Sequence, residues 1–227
     1  MKWLLNTFLP HSCTLCQRPL EEGLVCLDCF RRLPWLERVC PCCGLPEGTE
    51  HRCGRCLKEP PPFTQLLAPW RYEAPFIGWI HQLKFKEDIR LGHGLGKLLA
   101  GVLQSRIQTL PEALFPVPLH WRRQMTRGCN QAYLLAKPIA KTFNLPIIFP
   151  ARRIKHTPAQ RGLKKEDRLR NMKNVFALRE GEWPLHIALI DDVVTTGSTV
   201  SALAHLLLQA GVKRVDVWAI TRVISNS

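Results

Sequence analysis

A chain of 227 residues suits one mid-sized domain plus a small accessory module. With 46% hydrophobic and 22% charged residues it is neither disordered nor fibrous, and reads as soluble and globular. Its 32 Lys and Arg against 18 Asp and Glu give +14, and no apolar run approaches the length that crosses a bilayer, so membrane insertion is not expected.

The opening Met1–Pro10 has one Lys, an apolar core broken by Asn6, and no small-residue cleavage site before Cys13. It reads as a short element packing on the body, not a targeting segment, and cytoplasmic residence is the expectation.

Nine of the ten cysteines fall before residue 57. Cys13, Cys16, Cys26 and Cys29 are repeated by Cys40, Cys43, Cys53 and Cys56 at a constant offset of 27 residues, which indicates two copies of one small module. Two cysteines separated by two residues bend around one cation, and two such knuckles complete a tetrahedron of thiolates. A segment this short has too little core to fold unaided, so metal supplies the missing stability. A disulfide scaffold would require a secreted chain. Two structural four-cysteine zinc sites are therefore expected. The spacing allows sequential pairing or a cross-braced pairing of first with third knuckle. Cys42 is expected to be a spectator, and Cys129 stands alone in a loop. Eight thiolates and two zinc ions add −4, which lowers the formal +14 to about +10.

Pro60, Pro61 and Pro62 form a stiff connector that no helix continues, which places a boundary between a module at 1–59 and a body at 60–227. In the body, Ala68–Tyr72 is strand-like. Phe76–Phe85 carries Phe76, Ile77, Ile80 and Leu83 at helical spacing, and Leu91–Ile107 is a second amphipathic helix. Leu114–Pro118 reads as a strand entering a basic loop, His120–Gly128. Gln131–Phe143 is a helix and Pro146–Ile154 a strand. Lys155–Asn174 is a long polar loop of the kind that is functional or disordered in compact domains. Val175–Leu178 and Ile187–Ile190 are strands, Val200–Ala210 a helix closed by Gly211, and Val215–Ile220 a last strand. Alternating strands and helices predict an α/β domain with a mainly parallel sheet and flanking helices.

Most of the positive excess lies between His120 and Val175, where 14 Lys or Arg face only Glu166 and Asp167, a local +12. Concentrated charge suits a phosphate-rich partner, either a small phosphorylated substrate or a nucleic acid. A solvated, repulsive face is the alternative. The interruptions by Gly, Pro and Asn, which break any helical stripe, favour the functional reading.

The sharpest motif follows the strand Ile187–Ile190: Asp191, Asp192, then Thr195, Thr196, Gly197, Ser198 and Thr199, then an apolar helix. Ligands of open parallel sheets bind beyond the carboxyl ends of strands. Consecutive N–H groups and hydroxyls at a helix N-terminus suit a phosphate. The two carboxylates would repel that phosphate but can accept hydrogen bonds from neighbouring ribose hydroxyls, so a sugar phosphate fits better than a plain anion. An ordinary helix N-cap explains one acid but not this whole ordered set, and the Walker A pattern is absent.

The run Ile187–Thr199 resembles the PRPP (phosphoribosyl pyrophosphate) signature of type I phosphoribosyltransferases. Together with Pro116–Leu119, the Arg127–Ala132 stretch, the segment from Gln160 through Arg168 and Asn171 to Phe176, and the cysteine module, the whole chain resembles the ComF/GntX family of bacterial proteins. That resemblance implies a phosphoribosyltransferase-like body behind a double zinc ribbon. Asp191 and Asp192 would hold the ribose hydroxyls, and Thr195 through Thr199 the 5′-phosphate of PRPP or a related ribose phosphate. The loop from His120 to Gly128, with Arg122, Arg123 and Arg127, takes the place of the pyrophosphate loop. Arg152, Arg153, Lys155, Arg161 and Arg168 fall where the catalytic loop is expected. There Arg and Lys, with magnesium, would stabilise the leaving pyrophosphate while a closing loop excludes water. No segment reads as a pocket for a particular base. Trp121 could stack on one or simply pack.

ComF-type proteins are associated with DNA uptake in competent bacteria and with use of external DNA as a nutrient. The resemblance thus implies single-stranded DNA and DNA-processing proteins as partners. A metabolic phosphoribosyltransferase acting on a nucleobase, and a PRPP-sensing regulator without catalysis, are the alternatives.

Overall fold

The computed structural model describes residues 11–46, 51–85, 88–119, 130–154 and 175–224. In the N-terminal part, β1 (His11–Ser12) pairs antiparallel with β2 (Pro19–Leu20), and two five-residue helices, α1 (Leu27–Arg31) and α2 (Gly54–Lys58), each begin just after a cysteine. The body runs β3 (Gln65–Leu67), β4 (Trp70–Arg71), α3 (Phe76–Phe85), α4 (Ile89–Arg106), β5 (Ala113–Pro116), α5 (Gln131–Phe143), β6 (Ala151–Arg153), β7 (Phe176–Leu178), β8 (His186–Val194), α6 (Ser198–Gln209) and β9 (Arg214–Arg222).

The main sheet has the order β3-β9-β8-β5, with β4 continuing the β3 edge along β9, and every pairing in it is parallel. Strands of this kind bury both faces, and their residues sort by twos. Along β8 and β9, Ala188, Ile190, Trp218 and Ile220 join the core under α3, α4 and α5. Ile187, Leu189, Val215, Val217 and Ala219 join a second core under α6. The body is therefore an α/β fold with a mainly parallel sheet between two helical layers. Among the described residues, no helix is long and apolar enough to cross a membrane.

The three central helices follow the predicted spans closely. Asp88 caps α4, its carboxylate accepting from the Leu91 N–H, and Asn130 caps α5 in the same way from Ala132. The strands differ more. Of the predicted Ala68–Tyr72 strand only Trp70–Arg71 is strand, and a further piece, Gln65–Leu67, precedes it; the two are separated at Ala68–Pro69, because Pro69 cannot donate to a ladder. Of Pro146–Ile154 only Ala151–Arg153 is strand, and it pairs antiparallel with β7 in a separate ribbon; the stretch touches the main sheet at a single bridge, Ile147 to Leu114, closed by the hydrogen bonds of Leu114 to Pro146 and of Ile148 to Leu114. The flanking Pro146 and Pro150 restrict regular pairing there. By contrast β8 runs four residues past Ile190, since the ladder to β9 continues through Asp191↔Ala219, Val193↔Thr221 and Val194↔Arg222.

The Cys-rich segment packs on the β3–β4 edge. The Leu36 N–H donates to the Pro69 carbonyl at 2.8 Å, Arg71 to Pro34 at 2.8 Å, and Leu66 to Pro41 at 3.0 Å. The Trp35 and Trp70 rings pack at a tilt with centroids 5.1 Å apart, and Leu24 and Leu33 are buried in the core beneath the central helices.

Helices α4 and α5 meet at Gly96, where a Cβ would lie 2.5 Å from the Leu135 carbonyl oxygen and closer still to Pro138 Cγ. A backbone atom cannot step aside, so the helices must part. Gly96→Ala is expected to cost ~1–3 kcal/mol, seen as a lower midpoint in thermal unfolding. Gly101→Ala on the same helix, where a Cβ meets nothing, should leave the midpoint unchanged or raise it.

Candidate functional site

The end of β8 aims the two adjacent acids at different neighbours. Asp192 continues the Ala188–Ile190 face towards α3, where its carboxylate Oδ2 lies 2.6 Å from Lys84 Nζ. Asp191 continues the Ile187–Leu189 face and lines a small open concavity with Val193, Val194, Thr195, Gly197, Ser198 and Thr199. The carboxylates also hold the strand end, since Asp191 Oδ1 accepts from the Asp192 N–H at 2.8 Å and Asp192 Oδ1 from Val193 at 2.9 Å. Burial, and then the neighbouring charge of Asp192, push the Asp191 carboxyl well above the ordinary range.

The turn into α6 rests on Gly197, whose φ of 80° is left-handed and strained for any side chain. Gly197 caps the helix, its carbonyl accepting from Ser201 at 2.9 Å. Thr196 and Ser198 hydroxyls share a 2.7 Å hydrogen bond. The α6 N-terminus thus presents N–H groups and hydroxyls, with the positive end of the helix dipole, around a pocket bounded by one carboxylate. Anion and polyol can be held side by side.

Of the other predicted residues, Arg152 sits exposed on β6, in the ribbon and not the main sheet, while Arg153 is half-buried 5.7 Å from the Phe176 ring. Arg122, Arg123, Arg127, Lys155, Arg161 and Arg168, with Trp121 and Cys129, lie outside the described residues. Two site residues have no signal in the sequence. Lys84 follows Leu83 in a helix legible only by its apolar face, and it meets an acid 108 positions away. Arg222, the last residue of β9, donates from Nη1 to the carbonyls of Val194 (3.0 Å) and Thr195 at the entry to the hydroxyl turn. Only the ladder register, which pairs Val194 with Arg222, predicts that meeting.

The cysteines pair sequentially, which settles the choice the spacing left open. The ligand atoms of Cys13, Cys16, Cys26 and Cys29 lie within 4.8 Å of one another, as do those of Cys40, Cys43, Cys53 and Cys56. Four sulfurs about 2.3 Å from a tetrahedral zinc are about 3.8 Å apart; Cys16–Cys26 and Cys43–Cys53 measure 3.7 and 3.8 Å. Backbone N–H groups already point at the sulfurs, Cys26 to Cys13 at 3.4 Å and Cys53 to Cys40 at 3.3 Å. Burial opposes ionisation of Cys13, but hydrogen bonds from the Cys16, Cys26 and Leu15 backbone outweigh it and bring the thiol down to about 6. The same contest lowers Cys40 to about 7, with Cys53, Cys43 and Cys42 supplying the N–H groups. One cysteine of each quartet thus favours the thiolate before metal arrives, and the geometry of both quartets fits zinc. Cys42 is buried beside the second quartet but outside it.

Fold and sites together define an α/β protein with a mainly parallel sheet and two N-terminal four-cysteine zinc sites. Residues 4–57 match the family model described as a double zinc ribbon domain. The chain is 39% identical to the DNA utilization protein YhgH of Escherichia coli K12, over 95% of this chain and 99% of that one. It is 35% identical to competence protein F of Haemophilus influenzae, over 96% and 100%. The chain belongs to the ComF/GntX family. Among solved structures, a Trypanosoma cruzi hypoxanthine phosphoribosyl transferase is similar at 14% identity, covering 63% of this chain and 77% of that chain with a TM-score of 0.34.

Two outcomes are expected. Elemental analysis of the purified chain should give two zinc ions, falling to one in Cys16→Ser and in Cys56→Ser. Asp191→Asn should raise thermal stability at neutral pH, because a carboxyl whose native pKa is raised resists, at a cost in stability, the ionisation that the unfolded chain undergoes freely. That cost is absent at acid pH and grows as pH climbs through the raised value, so the gain should vanish in acid. A gain of about 2–4 °C corresponds to ~1 kcal/mol in a chain of this size; melting curves over a pH series would test it.

Proposed function

We propose that the protein is a cytoplasmic DNA-utilisation factor of the competence type that holds PRPP or a related ribose phosphate and binds single-stranded DNA. The observation that carries the ligand is the concavity at the β8–α6 junction. It combines Asp191, an acceptor for ribose hydroxyls, with the hydroxyl and N–H groups of Thr195–Thr199, which suit a 5′-phosphate. Lys84, paired with Asp192 at the same strand end, adds a cation that can follow a phosphorylated ligand. Asp192 would accept from the second hydroxyl once Lys84 moves to the phosphates.

Support for DNA comes from two sides. The relatives carry the names DNA utilization protein and competence protein. The chain is strongly basic, and a local +12 between His120 and Val175 precedes the strand that leads into the hydroxyl turn. Phosphate neutralisation by Lys and Arg is the general source of single-strand affinity. Magnesium belongs to this reading as the counter-ion of pyrophosphate, and DNA-processing proteins as partners. Arg122, Arg123 and Arg127 are assigned to the phosphates; Arg152, Lys155, Arg161 and Arg168 to the loop that would close over PRPP.

Calorimetric titration with PRPP and magnesium should show binding that Asp191→Asn and Asp192→Asn each weaken about 10- to 100-fold, the worth of one hydrogen bond to a charged group. No heat with the wild type would overturn the ligand assignment. Single-stranded DNA affinity should fall linearly on a log–log plot against salt. Neutralising Arg122, Arg123 and Arg127 together should reduce that slope by about 2, from roughly 0.7 per phosphate contact; a flat response would overturn the DNA assignment. Pyrophosphate release in the presence of a panel of nucleobases would make the protein a transferase, and intact binding without release a ligand-gated DNA factor.

A further inference from the structure

Arg222 is 4% exposed, and its guanidinium reaches two parts of the chain that lie far apart in sequence. Nε donates to the carbonyl of Cys43 at 3.0 Å, across 179 positions. Nη1 donates to the carbonyls of Val194 at 3.0 Å, of Thr195, and of Val223 at 3.2 Å. One end of the side chain therefore holds a knuckle of the second four-cysteine site. The other holds the last residue of β8 and the first of the hydroxyl turn.

The knuckle is also pressed against the sheet. A Cβ on Gly44 would meet Leu66 Cδ2 at 2.7 Å and Arg222 Cδ at 3.8 Å, and the Leu66 N–H donates to Pro41 at 3.0 Å. Residues 40–44 are thus seated on β3 and on Arg222 at once. The first quartet is placed differently. Cys16 is exposed and Cys29 half-buried, and its flanking charges pair locally or with α4, as Arg18–Asp28 and Lys97–Glu22.

Electrostatics gives the link a direction. A buried guanidinium needs compensation for the water it has lost, and among the described residues no carboxylate pairs with Arg222. Carbonyl dipoles supply part of it. Four thiolates around one zinc carry a net −2, and Cys43 belongs to that group, so metal at the second quartet places the missing counter-charge beside Arg222. Without metal the knuckle is not held, and a knuckle that opens withdraws the Cys43 carbonyl from Arg222.

We propose that Arg222 is a positioning residue through which zinc at Cys40, Cys43, Cys53 and Cys56 sets the geometry of the 194–199 turn, so that occupancy of the second ribbon controls binding of the ribose phosphate. The ligand half of this statement rests on the function proposed above; the coupling of metal to turn does not.

The test uses the full chain. Hydrogen exchange of segment 193–201 is followed in wild type, Cys16→Ser and Cys56→Ser, with strand segment 186–190 as internal reference and zinc content measured for each. PRPP affinity is measured alongside. Cys56→Ser should speed exchange of 193–201 and weaken PRPP, each by about tenfold, the loss of one charge-assisted hydrogen bond. Cys16→Ser should change both less than about twofold. In an Arg222→Met background, adding Cys56→Ser should have no further effect, since the path is already cut. Equal effects of the two cysteine variants, additive effects in the double variant, unchanged PRPP affinity in Cys56→Ser, or loss of protection at 186–190 as well would each overturn the inference. If Arg222→Met does not fold, Arg222→Lys takes its place, and the comparison of the two cysteine variants decides alone. A wild type that fails to bind PRPP yet shows the expected exchange pattern sinks the ligand reading and keeps the coupling.

Discussion

The parallel ladder between β8 and β9 is the constraint on which the other features hang. Its paired register extends from His186↔Arg214 to Val194↔Arg222. Because both strands are buried on both faces, the register cannot slip by one residue without sending an entire apolar set to the wrong layer. Two consequences follow at the C-terminal end. Strand alternation sends Asp192 towards α3 and Asp191 towards α6, although the two are adjacent in sequence. The same register delivers Arg222 to Val194. At the other end, a buried Asp216 is satisfied by His186 at 2.9 Å, Gln65 at 2.9 Å and Arg214 at 3.1 Å. That network of fully satisfied polar groups ties β3, β8 and β9 together at the amino ends of the strands.

The N-terminal segment solves a different problem. Its own apolar residues are few, and several of those it has, Leu24, Leu33 and Leu36, are buried against the sheet and its helices. What remains is held by sulfur, with all four cysteines of the second quartet buried. Metal binding and docking on the β3–β4 edge are then parts of one folding event, since the knuckle that wraps the ion is the same piece of chain that donates and accepts along the edge. The aromatic row of Phe30, Trp35, Trp70 and Phe76, with successive centroids 5.0–5.1 Å apart, continues that contact into the core.

How much of this the sequence disclosed depends on how local the cause is. The cysteine quartets, the three central helices and the hydroxyl turn are set by spacing and caps within a few residues, and each was legible. Strand extents were less so, because pairing partners decide them: β8 is long since β9 is long, and Pro146–Ile154 is mostly irregular since prolines flank it. Lys84 and Arg222 were invisible as site residues, as nothing near either in sequence distinguishes a lysine at the end of an amphipathic helix or an arginine closing a strand. The basic stretches at 120–129 and 155–174 stand out by their charge and by their place in the family resemblance, and lie outside the described residues.

The junction of β8 and α6 is poorly optimised for stability, and that is informative. Two carboxylates meet there, one of them resisting ionisation because it is buried beside the other. A left-handed glycine opens the helix in place of a side-chain cap, and a guanidinium is buried a few ångströms away on carbonyl oxygens. Each arrangement raises the energy of the empty protein relative to a simple capped turn, and groups perturbed in this way cluster where a ligand completes the site. Hydroxyl donors would relieve the crowded acids, and an anion would complement the helix N-terminus and the nearby cations. A molecule carrying vicinal hydroxyls and a phosphate a few bonds apart supplies both at once, whereas a bare anion would leave Asp191 without a donor and a neutral sugar would leave the helix end without an acceptor.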